Sequence, residues 1–87
     1  MPAATEVIAA HAMVLQTDAR ALAECAERLR EIEAKLEEAG AAPPWLRHSV
    51  AAHLAACVAA SADLAEAAAW LRRYAAVTRP RAPHVPR

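Results

Sequence analysis

The sequence has no phenylalanine, one glycine, two cysteines and three aromatic residues, Trp45, Trp70 and Tyr74. Large side chains for a wide hydrophobic core are therefore scarce. The β-branched residues are not clustered, which leaves little from which strands could form. Two cysteines are also too few for a small secreted fold that depends on several disulfides. These scarcities exclude a β-sheet protein and a disulfide-stapled one.

Alanine is what the chain has in excess, at 27 of 87 residues. Alanine has the highest helix propensity and loses no side-chain entropy when a helix forms. We therefore expect a single all-α domain. A chain of this length is close to the size at which one core gives only marginal stability.

Charge is balanced overall but unevenly placed. Ten basic and ten acidic residues cancel, which argues against a protein that holds a polyanion by bulk charge. Residues 49–62 include no Asp, Glu, Lys or Arg, and burial is predicted there. A basic cluster near the C-terminus is interpreted as solubilising, with nucleic-acid binding as the less favoured alternative. Its members are Arg72, Arg73, Arg79, Arg81 and Arg87.

Nothing at the N-terminus resembles a secretory signal, because a basic start, a leucine-rich segment and a cleavage site are missing. No run reaches the roughly 20 uncharged apolar residues of a membrane span, since Asp63 and Glu66 interrupt the alanine-rich second half. The sequence predicts a cytoplasmic protein without a membrane span. Export without a cleaved signal stays open.

The first helix is predicted over residues 5–39. Thr5 and Glu6 suit a helix start, with a hydroxyl cap and an acid in the first turn. Leucine or isoleucine then recurs at every seventh residue with alanine four residues later, the pattern of a coiled-coil seam with a narrow side. The column is Ile8, Leu15, Leu22, Leu29 and Leu36, and the alanines are Ala12, Ala19 and Ala26.

A turn over residues 40–43 and a second helix over residues 44–77 are predicted next. Gly40 can adopt the left-handed conformation that ends helices, and Pro44 suits the first turn of a new one. Residues 78–87 are rich in proline and arginine and are predicted to form a disordered tail. The seam of the second helix alternates steps of four and three through Val50, Leu54, Cys57, Ser61, Leu64, Ala68, Leu71 and Ala75.

Two helices of similar length joined by a short turn predict an antiparallel hairpin over residues 1–77, in which residue i faces roughly residue 83 − i. This register places Leu22 beside Ser61 and brings Cys25 near Cys57. A lone hairpin buries one stripe per helix, yet the second helix has further apolar residues off that stripe. We therefore expect a second chain to complete a four-helix bundle.

The leading functional interpretation is a non-enzymatic interaction protein, either a dimerising adaptor or a small partner of a larger protein. Its expected partner is itself, as a homodimer, or another helical protein. An antitoxin or immunity-like partner would follow the same physics and is a further alternative. With no glycine-rich phosphate loop and no usable Ser/His/Asp set, neither an enzyme nor a cofactor is predicted. The predicted interface residues are Leu15, Leu22, Leu29, Leu36, Trp45, Val50, Leu54, Val58, Leu64, Trp70 and Leu71.

Cys25, His53 and Cys57 define a different hypothesis, a metal- or redox-responsive helical module. His53 lies one helical turn before Cys57, and the hairpin brings Cys25 across from both, so three zinc or copper ligands could converge. The competing interpretation treats both cysteines as small apolar side chains in an alanine-rich seam. That interpretation is favoured, and no metal site is assigned.

Trp45 near the turn, the two long helices and the texture of residues 64–74 resemble the WXG-type small proteins of type VII secretion. Leu46 and Arg47 follow Trp45 where that group has Trp-x-Gly, and Thr78 follows Tyr74 where its export signal has an acidic residue. The resemblance implies a helical-hairpin dimer, often with a partner encoded nearby, that acts as a small secretion partner or substrate. It also implies that there are no catalytic residues.

Overall fold

A computed structural model describes residues 3–78 and shows two long α-helices that pack against each other as a hairpin. Helix α1 spans Ala4–Ala39 and helix α2 spans Pro44–Thr78. At 1.5 Å per residue, each helix is roughly 50 Å long. Residues 3–78 contain no β-strand. The all-α class and the two-helix hairpin that the sequence predicts are confirmed.

The start of α1 differs from the prediction by one residue. Ala3 is the N-cap residue, in an extended conformation and without a side-chain cap. Its carbonyl accepts hydrogen bonds from the backbone amides of Glu6 and Val7, at 3.0 and 3.1 Å. Thr5 already lies inside the first helical turn, so the predicted hydroxyl cap at Thr5 is wrong. Glu6 does lie in that turn, where an acid complements the helix dipole.

The turn between the helices follows the predicted chemistry. Gly40 has φ 70°, and its amide donates to the carbonyl of Leu36 at 3.2 Å. This left-handed conformation is the one that glycine adopts at low cost after the last helical residue. Pro44 is the first residue of α2. The carbonyl of Pro43 accepts from the amides of Leu46 and Arg47, which begins the hydrogen-bonding pattern of the second helix.

Helix α2 ends one residue later than predicted. Thr78, which the sequence assigns to the tail, is the last helical residue. Its hydroxyl donates to the carbonyl of Tyr74 at 2.8 Å, within the same helix. The remainder of the predicted tail, residues 79–87, lies outside the described residues, as do residues 1 and 2.

The space between the helices is filled by alanine. Within residues 3–78 the buried hydrophobic residues are all alanines, and no large side chain is fully buried. The leucine column that the sequence predicts as the seam is half-buried instead. The buried residues are Ala12, Ala19, Ala26, Ala68 and Ala75.

The charge-free segment of α2 is largely exposed, so the prediction of burial there is wrong for the single hairpin. None of residues 49–62 is buried, and most of them are exposed. The physical reason is that one partner helix can cover only one stripe of α2. The rest of the apolar surface of the segment is exposed in the hairpin.

Helix α2 is also long and apolar enough, by length and composition, to cross a membrane. Only 6% of its most apolar stretch is buried within the hairpin. The sequence prediction concerns an uncharged run of roughly 20 residues, and it stays a prediction, because this looser criterion tolerates two charged residues. Helices in the cores of soluble proteins meet it too, so composition alone decides nothing about α2.

Candidate interaction surface and cysteine pair

The helices approach each other most closely along their alanines. The Ser61 hydroxyl on α2 donates a hydrogen bond of 2.8 Å to the backbone carbonyl of Ala19 on α1. A serine side chain is short, so this bond forms only where the two backbones lie near each other. The sequence register placed Leu22 beside Ser61, and the structure has Ala19 as the hydrogen-bonding partner. The alanine column, which has no bulk to hold the helices apart, is the line of contact.

We call this line the alanine seam, and its members recur at every seventh residue of each helix. The five alanines are at most 8% exposed. Because alanine has a small side chain, each buries little apolar surface, and the free energy gained is correspondingly small. The seam comprises Ala12, Ala19 and Ala26 of α1 and Ser61, Ala68 and Ala75 of α2.

Leucines line one flank of the alanine seam. Most of them come three residues after a seam position, as Leu22 follows Ala19 and Leu71 follows Ala68, whereas Leu54 continues the seven-residue series of the seam itself. A step of three turns a helix by about 300°, which places the residues at that step on the same side of the seam. We call this flank the leucine side. Its half-buried columns are Ile8, Leu15, Leu22, Leu29 and Leu36 of α1 and Val50, Cys57, Leu64 and Leu71 of α2.

Residues four positions after the seam lie on the opposite flank, which we call the alanine side. Gln16 and Arg72 belong to it, and their side chains are joined by a hydrogen bond of 3.3 Å. On the leucine side, Cys25 and Cys57 are the residues in contact. These two contacts show that like flanks of the two helices meet. A groove on the alanine side is lined by Ala23, Ala26, Glu27, Arg30, Val58, Ser61, Ala62 and Ala65, without a leucine.

Exposed apolar side chains extend the leucine side. Ile32 and Tyr74 each lie six residues after a seam alanine, next to the leucine columns, and are 44% and 57% exposed. Val58 is 42% exposed and belongs to the alanine side. The hairpin therefore has one flank on which half-buried leucines are bordered by a partly exposed apolar residue near each end.

The two tryptophans lie on the face of α2 that points away from the seam. Trp45 is 69% exposed and Trp70 is 60% exposed. The guanidinium of Arg73 lies 5.0 Å from the centre of the Trp70 ring, a cation–π distance that partly covers this ring. The tryptophans are accordingly surface residues of the single hairpin.

The eleven predicted interface residues divide into two groups. Trp45, Val58 and Trp70 are exposed in the hairpin. The others are half-buried between α1 and α2, and each keeps part of its side chain open to solvent. This second group is Leu15, Leu22, Leu29, Leu36, Val50, Leu54, Leu64 and Leu71.

The cysteines meet across the hairpin near the middle of the leucine side. The Sγ atoms of Cys25 and Cys57 are 4.0 Å apart, the outer limit of a weak S–H···S hydrogen bond. Both residues are half-buried thiols. The pKa of Cys57 is raised above its ordinary value, first because burial disfavours the thiolate and then because of the neighbouring Cys25. The predicted proximity of the two residues is thus present in the structure.

His53 does not join the cysteines. Its Nδ1 lies 2.7 Å from the backbone carbonyl of Ser49, one turn earlier in the same helix, and the side chain is exposed. Within residues 3–78 no group of three or more His, Cys, Asp or Glu residues could hold a metal ion. The hypothetical three-ligand site of Cys25, His53 and Cys57 is therefore not formed. Sequence spacing puts His53 on the correct flank but does not fix the rotation of its ring.

Polar contacts on the rest of the described surface are few, and one of them joins the two helices. Glu27 and Arg30 form an ion pair one turn apart on α1. Arg72 and Arg73, the two members of the basic cluster inside the described residues, contact Gln16 and Trp70. Within residues 3–78 no charged or polar residue is buried. The leucine side is therefore the described surface with the most uniform composition, because its columns are mainly apolar.

Comparisons with protein-family models, with curated proteins and with solved structures give no match to this chain.

Proposed function

We propose that this chain is a helical-hairpin interaction protein whose leucine side binds a second copy of the same chain. The observation that supports this proposal is that alanines and leucines differ in burial within residues 3–78. The contact between α1 and α2 fully buries alanines and leaves both leucine columns half-exposed. A partner that covers the leucine side would supply the large-side-chain core that the single hairpin lacks.

The energetics favour such a partner. Complete burial of a leucine contributes roughly 1.5–3 kcal/mol, so a half-buried one leaves on the order of 1 kcal/mol unused. Several such residues line each hairpin, and two hairpins would bury both sets at once. Packing two hairpins through their leucine sides gives a four-helix bundle, the arrangement in which helices of this length commonly bury their apolar faces.

A second copy is the partner that the charge pattern favours. A two-fold interface places one surface patch against its own copy, so any charge on the patch tends to meet a like charge. The two columns that border the leucines include one formally charged residue, Asp18. A nearly neutral apolar flank can oppose itself without this repulsion. The bordering columns are His11, Asp18, Cys25 and Ile32 of α1 and Leu46, His53, Ala60, Ala67 and Tyr74 of α2.

A protein partner suits this hairpin better than a lipid bilayer does. Helix α1 packs along α2 and has charged residues through its length, among them Glu24, Arg28 and Glu31. Inserting the hairpin into hydrocarbon would bury those charges at considerable cost. A protein partner on the leucine side covers Leu64 and Leu71 of α2 and leaves the charged face of α1 in water.

Dimerisation through a flat helical flank fits an adaptor or a small partner of a larger protein. It also fits the resemblance to the small hairpin proteins of type VII secretion, which we retain as a proposal. A different helical protein, including an antitoxin or immunity-like partner, would use the same leucine side. The self-association experiment separates the homodimer from these alternatives.

The experiment compares two variants that are matched in exposure, Ile32→Glu and Val58→Glu. The wild-type side chains are 44% and 42% exposed, but Ile32 is on the leucine side and Val58 on the alanine side. Glutamate is a good helix former, so both variants should keep their helices. Light scattering gives the solution mass of each variant, and circular dichroism verifies that it is folded.

We expect the wild-type chain and Val58→Glu to have the mass of a dimer, and Ile32→Glu to shift towards the monomer. A charge buried within the proposed interface should raise the dimer dissociation constant by roughly tenfold or more. Equal loss of the dimer in both variants would contradict an interface confined to the leucine side. A wild-type chain that stays monomeric at every concentration would contradict the proposed homodimer.

A further inference from the structure

The thiols of Cys25 and Cys57 make a pair that the proposed dimer does not require. They belong to different helices, are 32 residues apart in the sequence, and place their Sγ atoms 4.0 Å from each other. Both residues are half-buried, so a small reagent can reach the edge of the pair. No described residue other than these two offers a thiol, and no metal-binding group includes them among residues 3–78.

We infer that Cys25 and Cys57 are a reversible intrachain disulfide site that is oxidised by a low-molecular-weight disulfide such as oxidised glutathione. A disulfide has an S–S distance of about 2.05 Å, so the sulfur atoms must approach by roughly 2 Å. Side-chain rotation, together with any small approach of the two helices, must supply this movement. The inference uses the geometry of one hairpin, and a second copy on the leucine side would slow the reaction by covering the thiols without separating the pair.

The reaction is thiol–disulfide exchange in two steps. One cysteine thiolate attacks oxidised glutathione, whose S–S bond breaks to give a mixed disulfide and one glutathione thiolate. The second cysteine thiolate then attacks the protein sulfur of the mixed disulfide and releases the second glutathione thiolate. The two protons lost by Cys25 and Cys57 end on the two glutathione thiols. The protein pair is oxidised by two electrons, and one glutathione disulfide is reduced to two thiols.

The position of the pair favours ring closure over a stable mixed disulfide. After the first step, the second thiol is already held against the protein sulfur by the packing of α1 against α2, so its effective concentration is high. The alanine seam beside it maintains the short distance between the helices, as the hydrogen bond from Ser61 to the Ala19 carbonyl shows. The resulting bond would join the helices near their middle and fix their register.

Intact-mass measurement after incubation with oxidised glutathione, followed by alkylation of the remaining thiols, tests this inference. The wild-type chain should lose two hydrogens, accept no alkyl group and have no attached glutathione. Peptide mapping should recover a Cys25–Cys57 crosslink that a reductant reverses. Because the disulfide closes a long loop, the oxidised hairpin should melt on the order of 10 °C higher than the reduced one.

The single variants Cys25→Ser and Cys57→Ser are the matched controls. Each retains one thiol and should stop at the mixed disulfide with one glutathione attached. The oxidation is repeated on Ile32→Glu, because an intrachain bond in this monomeric variant excludes dimer-dependent chemistry. Two attached glutathiones in the wild-type chain, or a disulfide between two chains, would overturn the inference. Neither result would contradict the proposed dimer interface.

Discussion

The hydroxyl of Ser61 donates to the backbone carbonyl of Ala19 on the opposite helix, at 2.8 Å. A side chain of this length bridges two helices only where their backbones are close, so the bond reports a close approach at this point of the alanine seam. Ala12 and Ala68 are 0% exposed for the same reason. The packing of the hairpin therefore depends on small residues at fixed positions.

Ser61→Ala and Ser61→Leu should behave very differently. The alanine variant loses one hydrogen bond and keeps the close packing, so its free energy of unfolding should fall by about 1 kcal/mol. The leucine variant must push the helices apart and should lose roughly 1–3 kcal/mol or more. Urea unfolding at fixed protein concentration measures both. Comparable stability of the two variants would contradict the close approach at Ser61.

A second pair of variants tests the seam against ordinary helix surface. Ala68 is fully buried in the seam, whereas Ala52 is exposed on the same helix. Ala68→Leu should lower the melting temperature by several degrees, because each kcal/mol lost shifts a domain of this size by about 4–8 °C. Ala52→Leu should be nearly neutral, since leucine and alanine are both good helix formers. Similar melting curves for the two variants would argue against an alanine seam.

Gly40 provides a test of the turn. Its φ of 70° is strained for most side chains, although a Cβ added there meets no atom within 4 Å. Gly40→Ala should therefore lose about 1 kcal/mol through backbone conformation alone. Gly40→Asn should lose less, because asparagine tolerates the left-handed region. Thermal unfolding distinguishes the two, and an alanine variant as stable as the wild type would rule out a conformational role for Gly40.

The leucine side should be protected from solvent when the chain dimerises. The alkylation rate of the two cysteine thiols measures this protection. Cys25 and Cys57 lie on that side and are half-buried in the single hairpin. If a second copy covers them, the rate of thiol alkylation under reducing conditions should fall as protein concentration rises. The Ile32→Glu variant should show no such dependence. A rate that stays constant with concentration in the wild-type chain would place the interface elsewhere.

Much of the hairpin could be predicted from local sequence signals. Each signal depends on short-range physics. The leucine column follows helical periodicity, Gly40 adopts the left-handed backbone conformation, and the fixed φ of Pro44 suits a helix start. The helix start was misplaced because Ala3, a weak capping residue, occupies the N-cap without a side-chain bond. Helix α2 ends at Thr78, whose hydroxyl donates to the carbonyl of Tyr74 one turn earlier. A boundary drawn from the proline- and arginine-rich composition of the tail does not account for this hydrogen bond.

The candidate surface was harder to predict, because it depends on how closely the helices approach. Spacing identified both Leu22 and Ala19 as seam candidates, and the structure selects Ala19 through the Ser61 contact. The Cys25–Cys57 encounter followed from the hairpin register alone. The position of His53 did not, since its hydrogen bond to the Ser49 carbonyl is a choice of side-chain rotation. The periodicity of a helix predicts the face on which a residue lies. It does not predict the distance between the helices or the rotamer of a side chain.

Sedimentation equilibrium of the wild-type chain in reductant, over a range of concentrations, tests the central claim most directly. The account predicts a mass that approaches twice the chain mass of 9.3 kDa as concentration rises. Reductant excludes a disulfide between chains as the cause. A chain that stays at 9.3 kDa throughout, while unfolding cooperatively in urea, would contradict the claim that the leucine side binds a second copy.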